Sequence, residues 1–135
     1  MTSLTSLTLD SNNIITDKSI SYITNLVTLN LSNNVIITDD YVKLLINLTT
    51  LILYYNYMIT NYSVVKLTNL TYLDVYQSGC VTDNSIKILT NLTTLISNYV
   101  SNDLKNILEL RGCSLLIFRR LLYLIYIKID LKIKY

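Results

Sequence analysis

The chain has 135 residues, 51% of them hydrophobic, and a formal net charge of +2, which suits one domain with ample material for an apolar core. It contains no His and no Pro, and only two Gly, so Ser-His or Cys-His nucleophiles, imidazole metal sites, phosphate-binding loops and dinucleotide fingerprints lack the residues they need. A binding protein is expected rather than an enzyme, with no cofactor and no metal.

Leu4 opens a pattern that returns at Leu26, Leu48, Leu70 and Leu92, each 22 residues after the last. A fixed period of this size marks a stack of like units: 4–25, 26–47, 48–69, 70–91 and a degenerate 92–113, followed by a cap or tail at 114–135, all in a single domain over residues 1–135. Each unit begins L-x-x-L-x-L-x-x-N, as in Leu26, Leu29, Leu31 and Asn34 or Leu48, Leu51, Leu53 and Asn56; the fourth keeps Leu70, Leu73 and Val75 but carries Ser78 in the Asn column. Apolar residues two apart predict a strand buried on one face. The buried Asn12, Asn34 and Asn56 are expected to form a ladder that satisfies backbone groups in the following turn.

After the turn, the columns Ile14, Ile36, Met58, Cys80 and Ile15, Ile37, Ile59, Val81 are both expected to point inward, which makes Cys80 a small core residue. Thr16-Asp17, Thr38-Asp39, Thr60-Asn61 and Thr82-Asp83 predict helix starts, the side-chain oxygens capping free N–H groups. Ile20 and Ile23, Val42 and Leu45, Val64 and Leu67, and Ile86 and Leu89 then share one face of a short helix. Asn25, Asn47, Asn69 and Asn91 close the units, in the left-handed conformation that Asn tolerates after Gly.

These columns resemble the leucine-rich repeat family from Leu4 to about Asn98. The resemblance implies an α/β right-handed solenoid, or horseshoe, with a parallel β-sheet on the concave face and short helices on the convex one, and a function in binding proteins. The Ile-Thr-Asp step and Leu108-Glu-Leu-Arg-Gly-Cys113 also look like the repeats of F-box substrate receptors, which implies an adaptor for ubiquitin-ligase substrates as the alternative. A third possibility is a truncated paralogue without independent function, because the fifth unit loses its pattern after Leu95.

The remaining composition adds exclusions. Residues 1–110 hold five Lys against eight acids, net −3, and residues 111–135 hold six Lys or Arg against Asp130, net +5. Leu and Ile interleave the basic tail residues, so the charges suit the solvated face of a packed element better than a nucleic-acid patch. Ile125, Ile127, Ile129, Leu131 and Ile133 alternate with polar residues and predict a covering edge strand. Arg119-Arg120 splits the apolar tail into pieces too short to span a membrane, and Met1-Thr-Ser-Leu is no leader, so the expected location is the cytoplasm with free thiols at Cys80 and Cys113. Enrichment in Asn, Ile, Tyr, Leu and Lys resembles proteins from AT-rich genomes.

The expected partner-binding site comes from strand alternation. Residues flanking the inward Leu columns point to the other sheet face. There Ile52, Tyr54, Tyr72, Asp74, Tyr76 and Ile96 gather, with Tyr54 and Tyr76 close enough for their rings to pack. An exposed aromatic cluster on a rigid surface suits a protein partner. Leu4, Leu7 and Leu9 in the first unit are expected to invite self-association along the edge strand.

Overall fold

A computed structural model describes residues 4–117 of the chain. Six strands pair parallel in chain order: β1 Ser6–Thr8, β2 Thr28–Asn30, β3 Thr50–Ile52, β4 Tyr72–Asp74, β5 Thr94–Ser97 and β6 Ser114–Ile117. Short helices lie between them: α1 Asp17–Ile20, α2 Asp39–Val42, α3 Asn61–Val64, α4 Asp83–Ile86 and the longer α5 Asn102–Leu110. The register follows the period, with Leu7 opposite Leu29, then Leu51, Leu73 and Leu95. One face of the sheet and the helices enclose a single apolar layer in which Leu29, Leu51 and Leu73 meet Val42, Leu45, Val64 and Leu67, all fully buried. Leu4 is 41% exposed whereas Leu26, Leu48 and Leu70 are 0% exposed, so this Leu column closes only where a unit packs on both sides.

The first four strands each lead into a four-residue turn. Asn12 N–H donates to Leu9 O, Asn34 to Leu31 O, Asn56 to Leu53 O and Ser78 to Val75 O. The third residue of each turn, Ser11, Asn33, Tyr55 and Gln77, has φ between 51° and 59°, the left-handed position of a type II turn. This is where the chain reverses its hand. The closing Asn column does not: Asn25, Asn47, Asn69 and Asn91 are not among the residues of positive φ, contrary to expectation. The helices end instead in tight i to i−3 turns, such as Leu44 N–H to Tyr41 O and Leu45 N–H to Val42 O, which need no left-handed residue. Asn69 and Asn91 reach back one unit, their Nδ2 donating to Ile46 O and Thr68 O at 2.9 Å.

The buried Asn ladder is present at Asn34 and Asn56, whereas Asn12 is half-buried and its Nδ2 donates locally to Ile15 O at 2.9 Å. Asn34 Nδ2 donates to Leu9 O at 2.9 Å, and Asn56 Nδ2 donates to Leu31 O and Asn34 O at 2.9 and 3.1 Å. Their Oδ1 atoms accept from Ile36 and Ile37, and from Met58 and Ile59. That double acceptance curls the next two residues so that the first faces out and the second in. The Ile14, Ile36, Met58, Cys80 column is therefore not a core column: Ile14 is 82% exposed, Met58 37%, and Ile36 and Cys80 are half-buried. The inward column is Ile37, Ile59 and Val81, with Ile15 partly buried.

The helix starts fall on the Thr columns, and Thr38 and Thr60 accept from Asp40 N–H and Tyr62 N–H. The carboxylates beside them serve the next unit rather than their own helix. Asp17 accepts from Thr38 N–H and Oγ1 at 3.0 and 2.5 Å, and Asp39 from Thr60 N–H and Oγ1 and from Ser63 Oγ. Asn61 repeats the arrangement with Thr82 N–H and Ser85 Oγ.

The fifth unit departs from the period. Seven residues separate Thr94 from the cap Ser101, against ten from Tyr72 to Thr82 (101 − 94 and 82 − 72). α5 compensates with nine residues and ends in Gly112 at φ 71°, where Gly112 N–H binds Glu109 O and Cys113 N–H binds Leu108 O, a Schellman closure. The sheet consequently continues into β6, and residues expected to begin a separate tail at 114 pair with Thr94–Ser97. The edge strand expected across 125–135 lies outside the described residues.

Candidate functional site

The six site residues expected from sequence do come together on the sheet face turned away from the helices. Ile52, Asp74 and Ile96 lie in register on β3, β4 and β5. Tyr72 stands at the start of β4 and Tyr54 and Tyr76 just beyond the ends of β3 and β4. The rings of Tyr54 and Tyr76 stack, centroids 5.9 Å apart and planes 12° from parallel, because equivalent positions on adjacent strands are one sheet spacing apart. Tyr55, in the left-handed turn position, meets Tyr54 edge-on at 4.7 Å. A side chain so bulky at positive φ is uncommon, and here the turn sets it against the stack.

Exposure of the whole cluster is corrected. Asp74 is 3% exposed, Tyr76 1% and Ile96 1%, so these three are interior groups, and only Ile52, Tyr54 and Tyr72 are half-open to solvent. Tyr76 and Ile96 form a second apolar cluster, separate from the main core, against which Tyr54, Tyr72 and Leu116 pack. Asp74 accepts from Tyr76 N–H at 2.9 Å. Asn30 does the same for Ser32 two units earlier, at 2.9 Å, so one role of this column is to fasten the chain where it leaves the strand.

Leu116 was not foreseen. It stands opposite Ile96 in the β5–β6 register and extends the Ile52, Asp74, Ile96 row by one strand. The signal is the short apolar run Leu115-Leu116-Ile117, hidden from a 22-residue template because the preceding unit is two residues short.

Cys113 is not an activated nucleophile. Cys80 and Cys113 are both free, and burial pushes the Cys113 thiol up, against smaller lowering effects from a Leu95 backbone hydrogen bond and Arg111; a thiol with a raised pKa keeps its proton at neutral pH. No helix among the described residues is long and apolar enough to cross a membrane. No protein-family model matches the chain, and no curated protein matches it significantly.

Proposed function

We propose that this chain is a right-handed solenoid of the leucine-rich repeat type and a non-enzymatic module that binds a protein partner on its concave face. The observation that carries the proposal is the stacked Tyr54–Tyr76 pair, set in an apolar cluster outside the main core and open on the side of Ile52, Tyr54 and Tyr72. Rings held in place from beneath lose little freedom on binding, and such aromatic anchors contribute most of the affinity at interfaces. The buried Tyr76, Asp74 and Ile96 would then support the contact surface rather than form it. A photoreactive phenylalanine analogue at Tyr54 or Tyr72 is expected to cross-link one protein that the same group at the exposed Tyr22 does not capture. Equal capture from Tyr22, or none from any position, would place recognition elsewhere or remove it.

The edge position of β1 favours a second reading in which two copies pair along that strand. A monodisperse monomer in light scattering at tens of micromolar would end it.

A further inference from the structure

We infer that the junction of the fourth and fifth units holds a binding cleft for a guanidinium group, presented by an arginine side chain of a partner peptide. The cleft has a volume of about 370 Å³ and is lined by Gly79, Asp83, Asn84, Ser97, Asn98 and Tyr99 over a floor of Val75 and Val81. Two departures from the period open it. Gly79 stands where the preceding units carry Val35 and Tyr57, and the loop after β5 is three residues shorter than its counterpart after β4 (ten against seven, as above).

The electrostatics of the cleft point to a cation. Asp83 is the one charged side chain among those lining it. In the same column Asp17 and Asp39 use both carboxylate oxygens on the next unit, whereas Asp83 uses only Oδ2, which accepts from Ser101 N–H at 3.1 Å. The cap of the fifth unit is Ser101, whose Oγ accepts from Leu104 N–H at 3.2 Å and makes no bond to Asp83, so among the described residues Oδ1 has no partner and Asp83 no ion pair. Lys87, one turn further along the same segment, donates to Asn84 Oδ1 at 3.2 Å rather than to Asp83. Asp83 also walls a second hollow, of about 260 Å³, lined by both Lys87 and Asp103.

A planar group is favoured over a point charge. Tyr99 lines the cleft and is 73% exposed, and its backbone is fixed by a reciprocal pair of bonds with Ser97: Ser97 Oγ donates to Tyr99 O, and Tyr99 N–H donates to Ser97 Oγ. A guanidinium stacks on such a ring while its donors reach a carboxylate, a combination an ammonium makes less well. The amide oxygens of Asn84 and Asn98 accept one bond each, from Lys87 Nζ and Gln77 N–H, and an amide oxygen has room for a second.

The test is amide chemical-shift perturbation of the full chain titrated with N-acetyl-arginine amide, with the neutral isostere N-acetyl-citrulline amide as control. Saturable shifts at Gly79, Asn84 and Tyr99 are expected with the first and not the second. Asp83→Asn is expected to weaken binding at least about tenfold while leaving the fold intact, because Asn61 already fills the same role with Thr82 N–H at 2.8 Å. Tyr99→Leu, a change at an exposed ring, is expected to weaken it further. Free arginine, run alongside, separates a peptide side chain from a free amino acid as the source; tighter binding of free arginine than of the blocked amide would overturn the peptide assignment. Equal shifts with both blocked probes, an unchanged Asp83→Asn, or no saturable shift at these three amides would overturn the cleft.

Discussion

The second and third units and the fourth and fifth units share one backbone plan, yet they solve the same hydrogen-bonding problem unequally. In the earlier pair, Asn34 and Asn56 fill the turn and bond backward as well as locally, and Asp39 staples the next unit with both oxygens. In the later pair, Ser78 replaces Asn, Gly79 takes a left-handed φ of 70°, and Asp83 staples with one oxygen. The irregular junction leaves the cleft lined by Gly79, Asp83 and Tyr99. In a stack each unit is held by its neighbours, so imperfect satisfaction at one junction can be carried by well-satisfied ones, and surface features gather where regularity lapses.

The sharpest test of that contrast is to remove the ladder on each side. Asn56→Ala takes partners from Leu31 O, Asn34 O, Met58 N–H and Ile59 N–H in a fully buried site, and leaving buried polar groups unpaired is expected to cost on the order of 4 kcal/mol. Ser78→Ala should be neutral to stabilising by about 1 kcal/mol, since among the described residues the buried Ser78 Oγ has no hydrogen-bond partner. Urea denaturation of the two variants checks both; similar losses would erase the distinction between the two halves.

The aromatic cluster gives the next effect in size. Tyr76→Ala deletes a ring that is 1% exposed and should cost on the order of 3 kcal/mol. Tyr54→Ala, at the half-open ring stacked upon it, should cost about 1 kcal/mol, the range of an aromatic pair beyond its burial. Strand alternation alone gives the two rings equal exposure; thermal melts showing equal destabilisation would favour that arrangement over the buried Tyr76.

A pH dependence follows from the second unit. Ser19, Ser63 and Ser85 share a column in which the second unit has Tyr41, whose Oη donates to Ile23 O at 2.7 Å. Burial, with the nearby Asp17 charge adding to it, pushes the Tyr41 hydroxyl up to about 12 from 10.0. A raised acid pKa means that the unfolded chain releases its proton first as pH rises. The stability held by this group is therefore intact below pH 10 and lost between pH 10 and about 12. Tyr41→Phe is expected to flatten that part of the stability profile, and an unchanged alkaline slope would assign it to other groups.

Much of this arrangement was legible from the residues alone, and the failures have physical causes. Strand register, helix starts and the Asn ladder follow from columns in which a single residue type has one way to be satisfied. Alternation placed all six site residues on one sheet face, because a strand has only two. Degree of burial on that face was not legible, since whether Asp74, Tyr76 and Ile96 are covered depends on neighbours such as Leu116 in a strand beyond the shortened unit. Nor did the pattern separate Ile14 and Met58 from the core. Two adjacent apolar columns look alike until the Asn carbonyl oxygen accepts both of their N–H groups and forces one outward.

The smallest expected effect tests whether the fourth unit's irregularity comes from residue 78 or from its neighbours. In Ser78→Asn the new amide occupies the ladder column, and by analogy with Asn56 its Nδ2 should donate to Leu53 O and Asn56 O while its Oδ1 accepts from Cys80 N–H and Val81 N–H. At present Cys80 N–H binds Ser78 O at 2.9 Å, a tight turn that Gly79 permits at φ 70°. Forming the ladder bonds requires that turn to reopen, so part of the gain is lost to rearrangement, and a net stabilisation of about 1 kcal/mol is expected. Pairing it with Gly79→Val, which restores the residue of the second unit, should raise the gain if Ser78 and Gly79 act as one device, a non-additivity typical of residues in contact. The ideal Cβ at Gly79 would lie 3.5 Å from the Tyr57 ring, ordinary contact, but a β-branched side chain is strained at φ 70°, so the gain requires that Ser78→Asn first reopen the turn. A double variant no more stable than the parent would show that the shortened fifth loop, rather than these two residues, sets the geometry of the junction.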